Sequence, residues 1–246
     1  MYKLFIILAG FCFLTPSQAQ ISEMMGFRDY RDISDAYFMR FKENSKFDIN
    51  DIEGSPFLTE DFQFGYIIDS KSKNKAQAYL RYDVYNDVFE IKLEPNSKSL
   101  KTLKRTPRYK YNLGGETFVL IKSPQVINEE HYNSGNGYVV ELTSPKAEAV
   151  LYKRYFKELI PGSKALTSYQ QDIPPSIKSD TRYIIKFGDT YVRAEDHKKK
   201  ILDAFSDHKK DIKNYIKDKG FKFRGDDKEI QNQMIQVVRY YNSLKN

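Results

Sequence analysis

Between residues 78 and 94 the chain reads AYLRYDVYNDVFEIKLE, with Leu80, Tyr82 and Val84 alternating with Arg81 and Asp83, and Phe89 and Ile91 alternating with Glu90 and Lys92. A period of two places the apolar residues on one side of a strand and cannot build the apolar stripe of a helix. Asn86-Asp87 interrupts the run with turn chemistry, so the stretch reads as a hairpin. A two-residue turn there sets Val84 opposite Phe89, Tyr82 opposite Ile91 and Leu80 opposite Leu93, with all six on one face; a slip of one residue would invert a strand. The other face then has Asp83 opposite Glu90, Arg81 diagonal to Glu90 and Asp83 diagonal to Lys92, each diagonal pair worth up to about 1 kcal/mol. These charges read as the hydrated side of a half-buried antiparallel sheet. The competing reading is a cation shared by Asp83 and Glu90.

The same pattern recurs. In RYKYNLGGETFVLIK, Gly114-Gly115 turns the chain so that Tyr111 meets Phe118 and Tyr109 meets Leu120. Tyr138 to Leu142, a Ser-Pro-Lys turn and a long strand from Glu148 to Lys157 follow, and Gly188-Asp189 sets Ile185 opposite Val192. With Phe62 to Ile68 this makes about eight or nine antiparallel strands. The segment Glu53-Gly54-Ser55-Pro56-Phe57 has turn chemistry. An irregular loop with Pro174-Pro175 is expected between Gly162 and Asp180, long enough to be functional or mobile.

The period changes at the C-terminal end. Asp196 is placed to cap a helix carrying Ile201, Leu202 and Phe205, and Asp207 a second carrying Ile212, Tyr215 and Ile216 that stops at Gly220. Asp226 or Asp227 begins a third, with Ile230, Met234, Val237, Tyr241 and Leu244 at helical spacing. Each is too short to stand alone and must dock. The expected fold is therefore α+β: a curved antiparallel sheet of hairpins over 53–195, with three helices over 196–246 packed on it as one folding unit. Residues 20–52 read as a separate N-terminal segment, with a helix or a strand around Ser34 to Lys42.

The first nineteen residues, MYKLFIILAGFCFLTPSQA, carry Lys3, an apolar run from Leu4 to Leu14, and a small-x-small end before Gln20. That is the grammar of a cleaved signal peptide, since a membrane span needs about twenty apolar residues. Cys12 is the sole cysteine, and bulky Phe11 before it is unlike a lipoprotein signal. The expected product is a soluble periplasmic or extracellular protein without cysteine, which rules out disulfides, thiol catalysis and cysteine zinc sites. About 225 residues can bury enough surface to fold without such staples. The formal charge is +7, or +6 without Lys3, and residues 196–246 hold thirteen Lys/Arg against eight Asp/Glu. Mixed signs on helices describe a solvated face, with a weak contact to an anionic membrane surface as the further expectation; nucleic acid is not expected.

Reactive groupings are sparse. No G-x-S-x-G elbow, phosphate loop or dinucleotide fingerprint occurs. The three histidines, His131, His197 and His208, have no metal-ligand spacing, so neither metal nor cofactor is expected. Glu90, Glu116 and Glu141 lie on expected strands, and a glycosidase would need two carboxylates across a cleft. The absence of Trp counts against a glycan surface.

Gly54 to Leu58 followed by Phe62 to Gly65, the hairpin from Leu80 to Glu90, and the terminal Tyr240-Tyr241-Asn242 resemble a group of small secreted proteins of Bacteroidota without assigned activity. Members of that group often carry Asn at the position of Asp83. The resemblance implies export and this architecture, and transfers no active residue. The expected function is non-enzymatic: binding an envelope protein or an apolar ligand. Two alternatives stand beside it. One is a periplasmic lipid or lipoprotein carrier, an open half-barrel whose cavity Leu80, Tyr82, Val84, Phe89, Ile91 and Leu93 would line. The other is a hydrolase using carboxylates near Glu90 with the 162–180 loop as lid.

Overall fold

The computed structural model describes residues 52–92, 94, 96, 100–122, 135–167, 169–194 and 198–245, with the backbone of Arg28–Asp29. Residues 1–19, read above as a signal peptide, residues 20–27 and 30–51, Leu93, His131, Asp196 and His197 lie outside the described residues.

The strands are β1 (Arg28–Asp29), β2 (Gln63–Asp69), β3 (Lys75–Asp83), β4 (Val88–Lys92), β5 (Lys101–Thr102), β6 (Tyr109–Leu113), β7 (Glu116–Lys122), β8 (Asn136–Glu141), β9 (Ala149–Ile160), β10 (Ser176–Phe187) and β11 (Thr190–Ala194). Helices α1 (Lys198–Ala204), α2 (Lys209–Asp218) and α3 (Asp227–Lys245) follow. Ten strands and the two-residue β1 form one open antiparallel sheet in the order β1-β5-β4-β3-β2-β6-β7-β8-β9-β10-β11. The α+β class holds, and the strand number exceeds the eight or nine expected, because Lys101–Thr102 is too short to leave a periodic signal.

Two hairpins have the expected register: Tyr111 faces Phe118 across Gly114-Gly115, whose φ angles of 59° and 81° suit a tight hairpin turn, and Ile185 faces Val192. The β3–β4 hairpin differs. Its loop has four residues, Val84 to Asp87, so Tyr82 faces Phe89, Leu80 faces Ile91 and Arg81 faces Glu90 directly. Asp83 stands opposite Val88, not Glu90. The turn is organised by side chains: Asp83 accepts from the Asn86 backbone N–H at 2.9 Å and from its Nδ2 at 2.7 Å, and Asp87 takes φ +52°. The shift is of two residues, so every side chain keeps its face.

Phe89 on β4 and Tyr138 on β8 are five strands apart, about 24 Å in a flat sheet. Their ring centroids are 5.1 Å apart, so the middle of the sheet curls on itself. The concave side is filled by Tyr82, Phe89, Tyr111, Phe118 and Tyr138, stacked, tilted or edge to face at 4.3 to 6.1 Å. The same face continues onto β9–β11, where Leu151, Ile185 and Ala194 pack under Ile201, Phe205, Ile212, Ile216, Met234, Val237 and Val238 of the helical region. Leu142 packs against both clusters.

Asp226 caps α3 through the Glu229 N–H at 2.7 Å, and Gly220, at φ +66°, ends the turn after α2. Asp207 does not cap α2, whose N-cap His208 makes no side-chain cap bond. The Asp207 carboxylate is taken by the Tyr241 hydroxyl at 3.1 Å and by Lys245 at 2.6 Å.

Candidate functional site

Ile52 to Leu58 crosses from one part of the sheet to another. Glu53 bridges Ser176 at the start of β10; Leu58 N–H donates to the Tyr82 carbonyl, and the Pro56 carbonyl accepts from Val84 and Tyr85 N–H. Gly54 takes φ +90°, and a Cβ there would come within 2.8 Å of the Ile177 carbonyl oxygen, so only glycine passes. Lys157 donates to the Ser55 carbonyl at 2.7 Å.

This strap covers the face expected to be wet. The Arg81 guanidinium lies 3.6 Å from the Phe57 ring centroid and 4.6 Å from that of Phe62, and binds Glu90 at 2.7 Å and the Glu60 carbonyl at 2.9 Å. Glu90 is 0 % exposed and Asp83 4 %. The reading of Arg81, Asp83 and Glu90 as a hydrated decoration is therefore corrected: residues preceding β2 fold back over them, which alternation within β3 and β4 could not reveal. Burial raises the Asp83 carboxyl to about 6, and the neighbouring Glu90 adds to the rise against the opposing Asn86 bonds and Arg81. Burial also lowers the Lys157 ammonium, while Glu60 and Asp83 hold it up.

A second buried carboxylate closes the same end from inside. Asp87 accepts from the Tyr82 hydroxyl and from Arg105, both at 2.5 Å, and from the Tyr138 N–H at 3.2 Å, with Arg154 3.8 Å away. Arg105 also donates to the Asn136 carbonyl and Arg154 to that of Tyr138. Burial pushes the Asp87 carboxyl up and the two guanidinium groups pull it down; Tyr82 is pushed well up by its burial. Arg105, Asp87 and Arg154 thus pin the β3–β4 turn to the start of β8. The sequence reading missed them. The available signal was Lys153-Arg154, adjacent charges inside the apolar run AVLYKRYFKELI.

The candidate ligand-binding residues Leu80, Tyr82, Val84, Phe89 and Ile91 are 0 to 5 % exposed and pack together, and the structure brings them into the ring cluster already described. The carboxylates of the hydrolase reading are engaged internally: Glu90 by Arg81, Glu116 by Lys153 and the Tyr155 hydroxyl, and Glu141 by Lys110 at 2.8 Å. Among the described residues no group of three or more His, Cys, Asp and Glu is placed to hold a metal, and no helix is long and apolar enough to cross a membrane.

The irregular loop is shorter than expected, running from Pro161 to Pro175. Ser176 to Asp180 join β10 because each pairs with β9, although their polar sequence carries no strand pattern. The loop is tied by paired backbone bonds between Ser163 and Ile173 at 2.8 and 2.9 Å. Lys164 meets Asp172 at 2.7 Å, Asp172 accepts from Ala165 N–H at 2.8 Å, and Gln170 accepts from Leu166 N–H at 3.2 Å. On this loop Leu166 is 91 %, Tyr169 100 % and Ile173 62 % exposed. No family model, curated protein or solved structure matches the chain.

Proposed function

We propose that the protein is an exported, non-catalytic binding module of the cell envelope that engages a partner protein through the 161–175 loop. The observation that carries this reading is the loop: Lys164 pairs with Asp172, Asp172 and Gln170 accept from loop backbone N–H groups, and Leu166, Tyr169 and Ile173 face water. Ordering such a loop costs backbone entropy that its own contacts offset before any partner arrives. Tyrosine and leucine on a preorganised support are suited to fill a pocket on another protein, where a few central anchors supply most of the binding energy. The engagement of Glu90, Glu116 and Glu141 in internal pairs weighs against hydrolysis, and the ring-filled concave side weighs against a lipid carrier. The likeness to small secreted Bacteroidota proteins and the signal-like leader support the envelope setting.

Placing a photo-crosslinking residue at Gln171 in the tagged mature protein should give one stoichiometric adduct in its native envelope. The double change Leu166→Ser and Tyr169→Ser should abolish it while moving stability by no more than about 0.5 kcal/mol, as for other exposed positions. An unchanged adduct in the double variant, or robust ester, peptide or glycoside hydrolysis by the purified protein, overturns the reading.

A further inference from the structure

Helix α2 sorts its charges by side. On a 3.6-residue turn, Lys210, Lys213 and Lys217 fall within about 60° of one another and span about 10 Å along the axis. Asp211 and Asp218 lie about 80–100° around from Lys210, and buried Ile212 and Ile216 face the core. All three lysines are exposed. Among the described residues none of them meets a carboxylate at ion-pair distance; of the nearby acids, Asp203 takes Lys209 at 2.6 Å, Asp207 takes Lys245 at 2.6 Å, and Asp211 lies 3.3 Å from the His208 ring. A helix surface that only needed solvating gains from opposite charges three or four residues apart, and within α2 the three lysines have none on their own side.

The geometry points to α2 as a docking surface for an anionic lipid bilayer, with Lys210, Lys213 and Lys217 lying against the headgroup layer. Lys210 and Lys217 lie about 100–160° around the helix from buried Ile212 and Ile216, so they stand away from the core. Its members are lysines, compact point charges on flexible stems, and not the guanidinium forks that read fixed phosphates or carboxylates two bonds at a time. Mobile lipid headgroups adjust to any cation spacing, whereas duplex nucleic acid and acidic protein surfaces hold theirs fixed. Each lysine close to such a membrane strengthens binding by about fivefold, so three together give on the order of 100-fold. This surface is independent of the 161–175 loop and its protein partner.

The test is co-sedimentation of the full mature protein with vesicles of phosphatidylcholine alone or with about 30 % phosphatidylglycerol. Binding is expected only with the anionic lipid, and to be lost between about 0.1 M and 0.5 M salt. The triple variant Lys210→Gln, Lys213→Gln, Lys217→Gln should bind on the order of 100-fold more weakly. Lys71→Gln, Lys75→Gln, Lys146→Gln removes equal charge from exposed sites elsewhere and should stay within about threefold of the original. Equal loss in both triples, equal binding to neutral vesicles, or tighter binding to duplex DNA or polyglutamate than to anionic vesicles would each overturn the assignment. Loss of the loop-dependent adduct with vesicle binding intact would remove the proposed partner and leave this surface standing.

Discussion

The curled half of the sheet, β2 to β8, and the helix-covered half, β9 to β11, bury one continuous face by different means. In the first, rings from strands far apart in the sheet must meet, so the cover is made of large planar side chains: Tyr82, Phe89, Tyr111, Phe118 and Tyr138. In the second, three helices bring a ready-made layer, and much of it is aliphatic. The buried charges divide the same way. Asp69, Asp83, Asp87 and Glu90 belong to the curled half, and Lys153 and Arg154 to the part of β9 that leans on it; the helical layer adds only uncharged Gln233 among the described residues. A sheet that curls on itself brings turns such as that of Asp87 inside, and those need polar partners, while the strap covers Asp83 and Glu90 from the other face. A sheet covered by helices leaves its turns at the rim.

The largest test of that contrast removes the charge that closes the curled half. Asp87→Ala leaves Arg105, Arg154 and the Tyr82 hydroxyl without their shared acceptor and should destabilise by about 3 to 5 kcal/mol in urea unfolding. Hydrogen exchange should open β3, β4 and β8 before α3; simultaneous opening would mean that the two halves do not differ in this way.

Asp83 sharpens the contrast with the opposite sign. Its folded value is about 6 against an ordinary 3.8, so folding takes up a proton between those two values. Its contribution therefore favours the fold as pH falls from neutral, by up to about 3 kcal/mol once both limits are passed. Asp83→Asn should raise stability at neutral pH by about 2 kcal/mol and flatten the dependence down to about pH 4. Asp69 runs the other way: Arg108 and the Lys71 and Ser72 N–H groups hold it at about 2, so its contribution is present above 3.8 and is lost as pH falls through 2. Urea midpoints that are parallel for the two chains between neutral and about pH 5 would refute the assignment to Asp83.

The smallest effect is expected where helix meets sheet. The Asn242 side chain accepts from Ala149 N–H at 2.8 Å and donates to its carbonyl at 2.9 Å. Asn242→Ala should cost about 1 to 2 kcal/mol, with the loss seen first in exchange at β9 and α3. A larger cost than that of Asp87→Ala would reverse the ranking of the two halves.

Strands, faces and helices were legible because each is a local period, and two hairpin registers followed from their glycine turns. The β3–β4 register was not, because its turn is set by the Asp83 and Asp87 carboxylates, and a two-residue shift leaves the apolar pattern unchanged. Nor was the burial of Arg81, Asp83 and Glu90, which depends on Phe57 and Phe62 arriving from outside the hairpin. Of the candidate site, the loop could be found from Pro174-Pro175 and the missing period, but the outward stance of Leu166 and Tyr169 goes with the Lys164–Asp172 pair and with Asp172 and Gln170 accepting from the Ala165 and Leu166 N–H groups.

The crossing of Ile52 to Leu58 also bears on the order of events at the ribosome. Its first hydrogen-bond partners, Pro175 and Ile177, are synthesised long after Glu53 has emerged. The early strands can therefore pair as they appear but wait for the last hairpins before this end is sealed, so vectorial synthesis leaves a half-finished sheet exposed. Closure of that end is therefore timed by the synthesis of β10, whatever the order in which the earlier hairpins form.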